Sequence, residues 1–458
     1  MLIMKKITHY SDIFTIGSRK VLFNLSNGAI IELDEESIGK YYSLEKNDIQ
    51  NVFSEEELKI LSENGFLIDD SMIKSRIKLS YHKSKYSDQQ CLKLDIAVTD
   101  QCNFVCPYCF EGTRKKNDNT AININTLNNF TGYIIEYIKK KISEETKFIE
   151  IVWYGGEPLL EKDTIIKCGQ EIDSIAYDYG IKSVHKIITN GYLLDDEFLS
   201  ILKKINIQFV QITLDGHKEI HNRSRNMIKK TDTYSIIMKN IRTALLKEIE
   251  VVIRINVDRK NYIYIPELFD EIKQELPNRY WGKTLFVDIA RVFGSSTSFS
   301  LLEFEKVTRD LIVQATRLGL MTAKSAIGSL VAFCNAECSN SSLVVDLYGN
   351  TYKCWNYIFD EAHRTGNIID YLNNTREVSS EEVDYVENLS LDCVNEGKCF
   401  DCKYINYCMG MCPYIRDRIR RGMYGNKFYK GTCVEIIRER IKTALTAYFV
   451  SEYSDSNN

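Results

Sequence analysis

Cys102, Cys106 and Cys109 stand in the run Cys102-Asn-Phe-Val-Cys106-Pro-Tyr-Cys109. Three thiolates can hold three irons of a four-iron cluster and leave the fourth iron without a protein ligand. An open iron can chelate an amine and a carboxylate together, the pair that the backbone end of methionine offers. The same spacing would serve a zinc site short of one ligand, or a ferredoxin-like cluster with a remote fourth cysteine. Further on lies Trp153-Tyr154-Gly155-Gly156-Glu157-Pro158. Its glycines let backbone come close to a ligand, and the Glu157 carboxylate can take an ammonium group. By itself this run is a turn. Placed beside the cysteine triplet it becomes the other half of one site.

Eleven of the fourteen cysteines fall in two groups, the triplet and a second set between Cys334 and Cys433, leaving out Cys91, Cys168 and Cys393. A secreted disulfide scaffold is usually far shorter and carries a signal peptide. Here the start, MLIMKKITHYSD, turns polar too early for a secretory segment. Clustered cysteines in a reducing compartment read as metal ligands. Cys168, inside the helical stretch EKDTIIKCGQEI, reads as a plain buried thiol. The chain has 44% hydrophobic and 27% charged residues, an ordinary globular mixture. Its formal net charge of -4 does not favour nucleic acid. No window offers the ~20 apolar residues of a membrane span. The expectation is a cytoplasmic protein with neither a nucleic-acid nor a membrane partner.

Three modules position these residues. In residues 1–80, Lys20–Leu25 and Ala29–Leu33 flank Asn27-Gly28, a hairpin signal. Ser54 with Glu57 forms a capping box, and Gly65 is placed to end that helix. Phe66–Ile68 reads as a short returning strand, and Asp69–Gln90 as a polar linker. A hairpin with short helices suits a small winged-helix-like α+β domain. In residues 91–300, strands Leu92–Val98, Phe148–Trp153, Val184–Ile188, Ile207–Leu214, Val251–Val257 and Leu285–Ile289 alternate with helical stretches. Six such units imply a parallel sheet with right-handed crossovers. The expected fold class is α/β, a partial (β/α)6 TIM-like barrel with its site at the C-terminal ends of the strands. Residues 325–450 are cysteine-rich and poor in periodic segments, so metal clusters are expected to hold them together. A helix over 433–450 closes the chain.

With the triplet after the first strand and Gly155-Gly156-Glu157-Pro158 after the second, residues 91–300 resemble the radical S-adenosylmethionine superfamily. The resemblance implies a reduced four-iron cluster that passes an electron to the sulfonium, releasing methionine and a 5′-deoxyadenosyl radical. It places Tyr108 against adenine and Asn190, in Thr189-Asn190-Gly191, at the ribose side. Thr213, which ends strand four, and Arg254 on strand five are further candidate contacts. The family often has a His and an Arg at the positions of His221 and Arg225. The third module looks like the family's SPASM domain, which holds two auxiliary four-iron clusters. The resemblance pairs Cys399, Cys402, Cys408 and Cys433 on one cluster. It gives the other Cys338, Cys354, Cys412 and an upstream ligand, for which Cys334 is the candidate. Cys393 is an alternative ligand or a bystander, and zinc remains the other reading of these cysteines.

SPASM enzymes mostly act on peptides or proteins. One branch matures sulfatases, and another installs cross-links in ribosomally made peptides. The residues before Cys102 resemble leader-recognition domains, which bind a leader peptide as an added strand. Sulfatase maturases tend to carry an Asp where this chain has Trp355. The expectation is therefore a peptide maturase, with thioether formation leading and, as the alternative, formylglycine formation or another dehydrogenation of the same radical type. It would need a leader-bearing precursor peptide and a reducing partner such as flavodoxin or ferredoxin. An iron–sulfur electron carrier has no use for Gly155–Pro158, and a DNA-binding regulator finds no support in the charge.

Overall fold

The computed structural model describes residues 7–44, 48–82, 90–111, 124–227, 231–321, 341–375, 399, 401–408, 410–423 and 430–455. The chain divides into two compact units, one of residues 1–87, 323–334 and 390–458, the other of 88–322 and 335–389.

In the first unit, β1 (Ser11–Ile16), β2 (Arg19–Asn24) and β3 (Ile30–Leu33) form an antiparallel sheet in that order. The expected hairpin is β2–β3, with Phe23 opposite Ile30 and Gly28 at φ 81 in the turn. The sequence reading missed β1, which pairs with β2 along its length. The capping box at Ser54 and Glu57 opens the helix Glu55–Glu63, and Gly65 follows it at φ 73. Phe66–Ile68 is not a strand. The Phe66 N–H closes that helix end on the Leu61 carbonyl, and its ring is buried beside Leu22, Ile49 and Phe53. The expected linker contains a helix, Asp70–His82. Its Ile73 and Ile77, one turn apart, pack with Tyr10 and Ile405, a two-residue apolar stripe easily lost among polar neighbours. The closing helix runs Lys430–Asp455. Its Ile437, Ile441, Leu445 and Phe449 meet Phe14, Ile16, Val21, Phe23 and Leu25. The N-terminal sheet and the C-terminal helix thus share one core.

In the second unit, all six expected strands are present and parallel. They are β4 (Cys91–Thr99), β5 (Phe148–Gly155), β6 (Lys182–Thr189), β7 (Ile207–Thr213), β8 (Glu250–Val257) and β9 (Leu285–Arg291). The sheet continues past β4 through three further strands that the sequence reading did not foresee. β10 (Ser342–Asp346) pairs parallel to β4, and β11 (Asn350–Tyr352) and β12 (Gly366–Asn367) follow antiparallel. The order is β12-β11-β10-β4-β5-β6-β7-β8-β9, an α/β fold with a parallel centre.

The strands alternate with period two. Leu94, Ile96, Ile151, Trp153, Ile253 and Ile255 pack with helix residues such as Ile138, Ile172 and Ile241. The intervening positions carry charge: Lys93 pairs with Glu150 at 3.3 Å, Lys186 with Glu150 at 2.6 Å, and Arg254 with Asp288 at 2.7 Å. Cys168 is buried in the apolar core, as expected. Among the described residues, no helix is long and apolar enough to cross a membrane.

Candidate active site

The cysteine loop leaves the C-terminal end of β4 and is fixed to three neighbouring strand ends. At β5, the Gly156 N–H donates to the Thr99 carbonyl (3.0 Å) and the Glu157 N–H to the Gln101 carbonyl (2.8 Å). A Cβ on Gly156 would lie 2.1 Å from the Gln101 oxygen, and one on Gly155, at φ 126, would lie 2.3 Å from the Thr99 oxygen. Only glycine fits at either position, because backbone meets backbone there. The close approach that the two glycines permit is to the cysteine loop itself.

Glu157 is fully buried and its carboxylate is already engaged. Oε1 accepts from the Thr189 hydroxyl (2.6 Å) and the Leu159 N–H (3.0 Å), and Oε2 from the Asn190 N–H (2.8 Å). Burial raises its pKa, and these three donors oppose that rise. The side chain ties the β5 loop to the end of β6. Pro158 opens the short 3-10 turn Pro158–Glu161 that follows and is itself buried. Asn190 extends the link, since its Nδ2 donates to Asn103 Oδ1 at 2.7 Å.

At the end of β7, the Tyr108 hydroxyl donates to Asp215 Oδ2 and accepts from Arg225 Nη1 (2.6 Å). Arg225 also lies over the Phe104 ring, and the Val105 N–H donates to the Asn226 carbonyl at 2.8 Å. Asp215 and Arg225 are buried, and burial holds the Tyr108 phenol neutral, well above its ordinary pKa. His221 is fully buried, and its Nδ1 accepts the Asp215 N–H at 3.4 Å. Burial, then the Arg225 charge, keeps this imidazole neutral.

Thr213 and Arg254 are register partners on β7 and β8. The Arg254 carboxylate partner in this structure is Asp288, and its Nε donates to Asn256 Oδ1 at 3.2 Å. Sequence reasoning missed Asn103 and the charged row Lys93, Asp95, Glu150 and Lys186. Charges at every second place in Leu92-Lys93-Leu94-Asp95, and Glu150 set between Ile149 and Ile151, were the available signal.

Cys102, Cys106 and Cys109 are all free thiols. Burial pushes Cys102 up to about 12, with Glu157 and the two other cysteines adding to the rise. Such a thiol becomes a thiolate only when a cation meets it. Among the described residues, no three or more His, Cys, Asp or Glu side chains gather closely enough for a single metal ion. A four-iron cluster makes a different demand, one iron per thiolate. Three free thiols on one loop, anchored at three strand ends, fit that demand.

In the first unit, burial raises Cys433 and Cys408. Cys402 and Cys399 act on Cys433, while Cys433 and Cys399 act on Cys408. These four thiols therefore lie near one another. Cys412 is exposed in the same unit, and Cys354 lies in the second. Cys334, Cys338 and Cys393 lie outside the described residues.

Residues 96–272 match the Radical SAM superfamily. The chain is 22% identical to the radical SAM cyclopropyl synthase TigE of Paramaledivibacter caminithermalis, over 90% of this chain and 89% of that one. It is 22% identical to a cysteine-type anaerobic sulfatase-maturating enzyme of Clostridium perfringens, over 69% of this chain and 87% of that one. The solved structure of native anSMEcpe with bound AdoMet and Cp18Cys peptide shares the fold. Its TM-score is 0.59 at 18% identity, covering 79% of this chain and 99% of that one. The strand-end cysteine loop, the glycine contact beside it and these likenesses agree: the chain carries a Radical SAM domain over residues 96–272 and is a radical S-adenosylmethionine enzyme.

Proposed function

We propose that this enzyme is a peptide maturase that abstracts hydrogen from a ribosomally made precursor and closes a bond within it. Cys102, Cys106 and Cys109 would hold the cluster that, when reduced, cleaves S-adenosylmethionine to methionine and a 5′-deoxyadenosyl radical. The chain's own share is to hold the cysteine loop, bind the cosubstrate and keep water out. Tyr108, Gly155, Gly156, Asn190 and Thr213 line the strand ends where the cosubstrate would lie. Glu157 and Pro158 act by fixing that loop. Cys399, Cys402, Cys408 and Cys433 would hold one auxiliary cluster; Cys338, Cys354 and Cys412, with Cys334, would hold a second. The Ile30–Leu33 strand is an outer strand of its sheet and offers unpaired backbone groups to a leader peptide.

The observation that carries this reading is the match to a cyclopropyl synthase over 90% of the chain. That match also favours a second reading of the product, carbon–carbon closure in place of a thioether. The sulfatase-type match spans 69% of the chain, and Trp355 stands where that branch tends to carry an Asp.

The test is anaerobic incubation of reduced enzyme, S-adenosylmethionine and a leader-bearing, cysteine-containing precursor peptide, followed by mass spectrometry before and after thiol alkylation. Either ring closure removes a pair of hydrogens. A thioether also removes an alkylatable thiol, whereas a cyclopropane leaves it. A cysteine converted to an aldehyde would establish the sulfatase-type reaction instead. 5′-Deoxyadenosine formation with an unmodified peptide would remove the maturase reading.

A further inference from the structure

Arg225 is a buried cation set against the cysteine loop. It is 8% exposed, and its Nη1 reaches the Tyr108 hydroxyl at 2.6 Å, one residue from Cys109 and two from Cys106. Its Nε has no hydrogen-bond partner. A guanidinium withdrawn from water with a donor unused is costly unless a negative charge close by compensates it. Asp215 supplies part of that compensation, with Oδ2 4.0 Å from Nη1. Asp215 is shared, however, because the same oxygen takes the Tyr108 proton. The remaining compensation lies on the other side. On that side the guanidinium meets two loop residues, the Tyr108 hydroxyl and the Phe104 ring, whereas Asp215 meets the loop through the Tyr108 hydroxyl. The pair therefore presents its positive end to the loop.

We propose that Arg225 is a positioning residue of the radical-generating site. It grips Tyr108 against Asp215 to hold the cysteine loop, and its buried charge favours the reduced state of the cluster that the loop would carry. One-electron reduction adds a negative charge to that cluster. A fixed cation in a poorly solvated setting stabilises the added charge, and a fixed anion opposes it. Asp215 and Arg225 should thus pull the reduction equilibrium in opposite directions, though both hold the same tyrosine. This inference rests on the assignment of Cys102, Cys106 and Cys109 as the ligands.

The experiment is a redox titration of the full-length, cluster-loaded protein. It follows the electron paramagnetic resonance signal that S-adenosylmethionine perturbs, which marks the cluster with the open iron. Arg225→Gln should disfavour reduction by about tenfold or more, which is about 59 mV for one electron. Asp215→Asn should favour it. Damage to loop structure alone would move both variants the same way. Shifts of one sign in both variants, or no shift in either with iron content intact, overturn the proposal. Where one variant fails to hold iron, the sign of the shift in the other decides. A parent protein whose signal is untouched by S-adenosylmethionine would instead remove the ligand assignment, an outcome distinct from a failure of Arg225.

Discussion

The Glu157 carboxylate is held by the protein's own donors. Thr189, Leu159 and Asn190 all donate to it inside a fully buried pocket. Glu157→Gln sets an NH2 against at least one of these donors. Losing a hydrogen bond to a charged acceptor and stranding a buried donor costs about 1.5–3 kcal/mol. Because this carboxylate joins the β5 loop to the end of β6, the variant should melt lower and retain less iron at the cysteine loop. Thermal melting with iron analysis checks this. Full iron and an unchanged melt, with weaker S-adenosylmethionine binding alone, would return Glu157 to the role of ammonium partner. The type and spacing of this residue were legible in the sequence, since Gly155-Gly156-Glu157-Pro158 are consecutive. Its use was not, because its three partners include two from another strand end. The Tyr108, Asp215 and Arg225 contact is hidden for the same reason: more than a hundred positions separate Tyr108 from the others, and only folding joins them.

At the scale of elements, the parallel strands were legible as apolar runs bounded by turn signals, and all six are present. The extension through β10, β11 and β12 was not, since five-, three- and two-residue strands carry little periodicity and β10 acquires meaning only beside β4. The charged face of the central strands was also overlooked, and it carries a pH dependence. Burial raises Asp95 to about 6, Lys93 and Lys186 pull it down, and Glu150 pushes it up. A carboxyl raised in the folded state binds an extra proton there. It contributes stability that is present below its unfolded pKa and lost as pH rises through the folded one. From about pH 4 to about pH 6 that loss amounts to roughly 2–3 kcal/mol. Asn cannot titrate, so the melting temperature of Asp95→Asn, measured against the parent, should rise between about pH 5 and about pH 7.5. A difference that does not change with pH would mean that Asp95 is ionised throughout.

At the scale of the molecule, the two ends of the chain are one structure. Phe14, Val21, Phe23 and Leu25 of the N-terminal sheet are buried against Ile437, Ile441, Leu445 and Phe449 of the closing helix. Lys403 also pairs with Asp12 at 2.9 Å, and Tyr404 and Arg438 reach the same carboxylate. Cys399, Cys402, Cys408 and Cys433 lie in this unit, while Cys102, Cys106 and Cys109 lie in the other. Deleting residues 1–80 would uncover the apolar stripe of the closing helix. Each buried Leu, Ile or Phe side chain so exposed forfeits about 1.5–3 kcal/mol, and several at once approach the whole stability of a small unit. The truncated protein should therefore lose the cluster proposed for those four cysteines, not merely the capacity to bind a leader. The barrel, with its own core, should keep the S-adenosylmethionine-perturbed signal. Iron analysis should fall from roughly twelve per chain by at least four. A truncated protein that keeps all its iron and fails only on leader-bearing peptide would show that the sheet is a separable recognition module, and that the shared core contributes little to holding the cysteines.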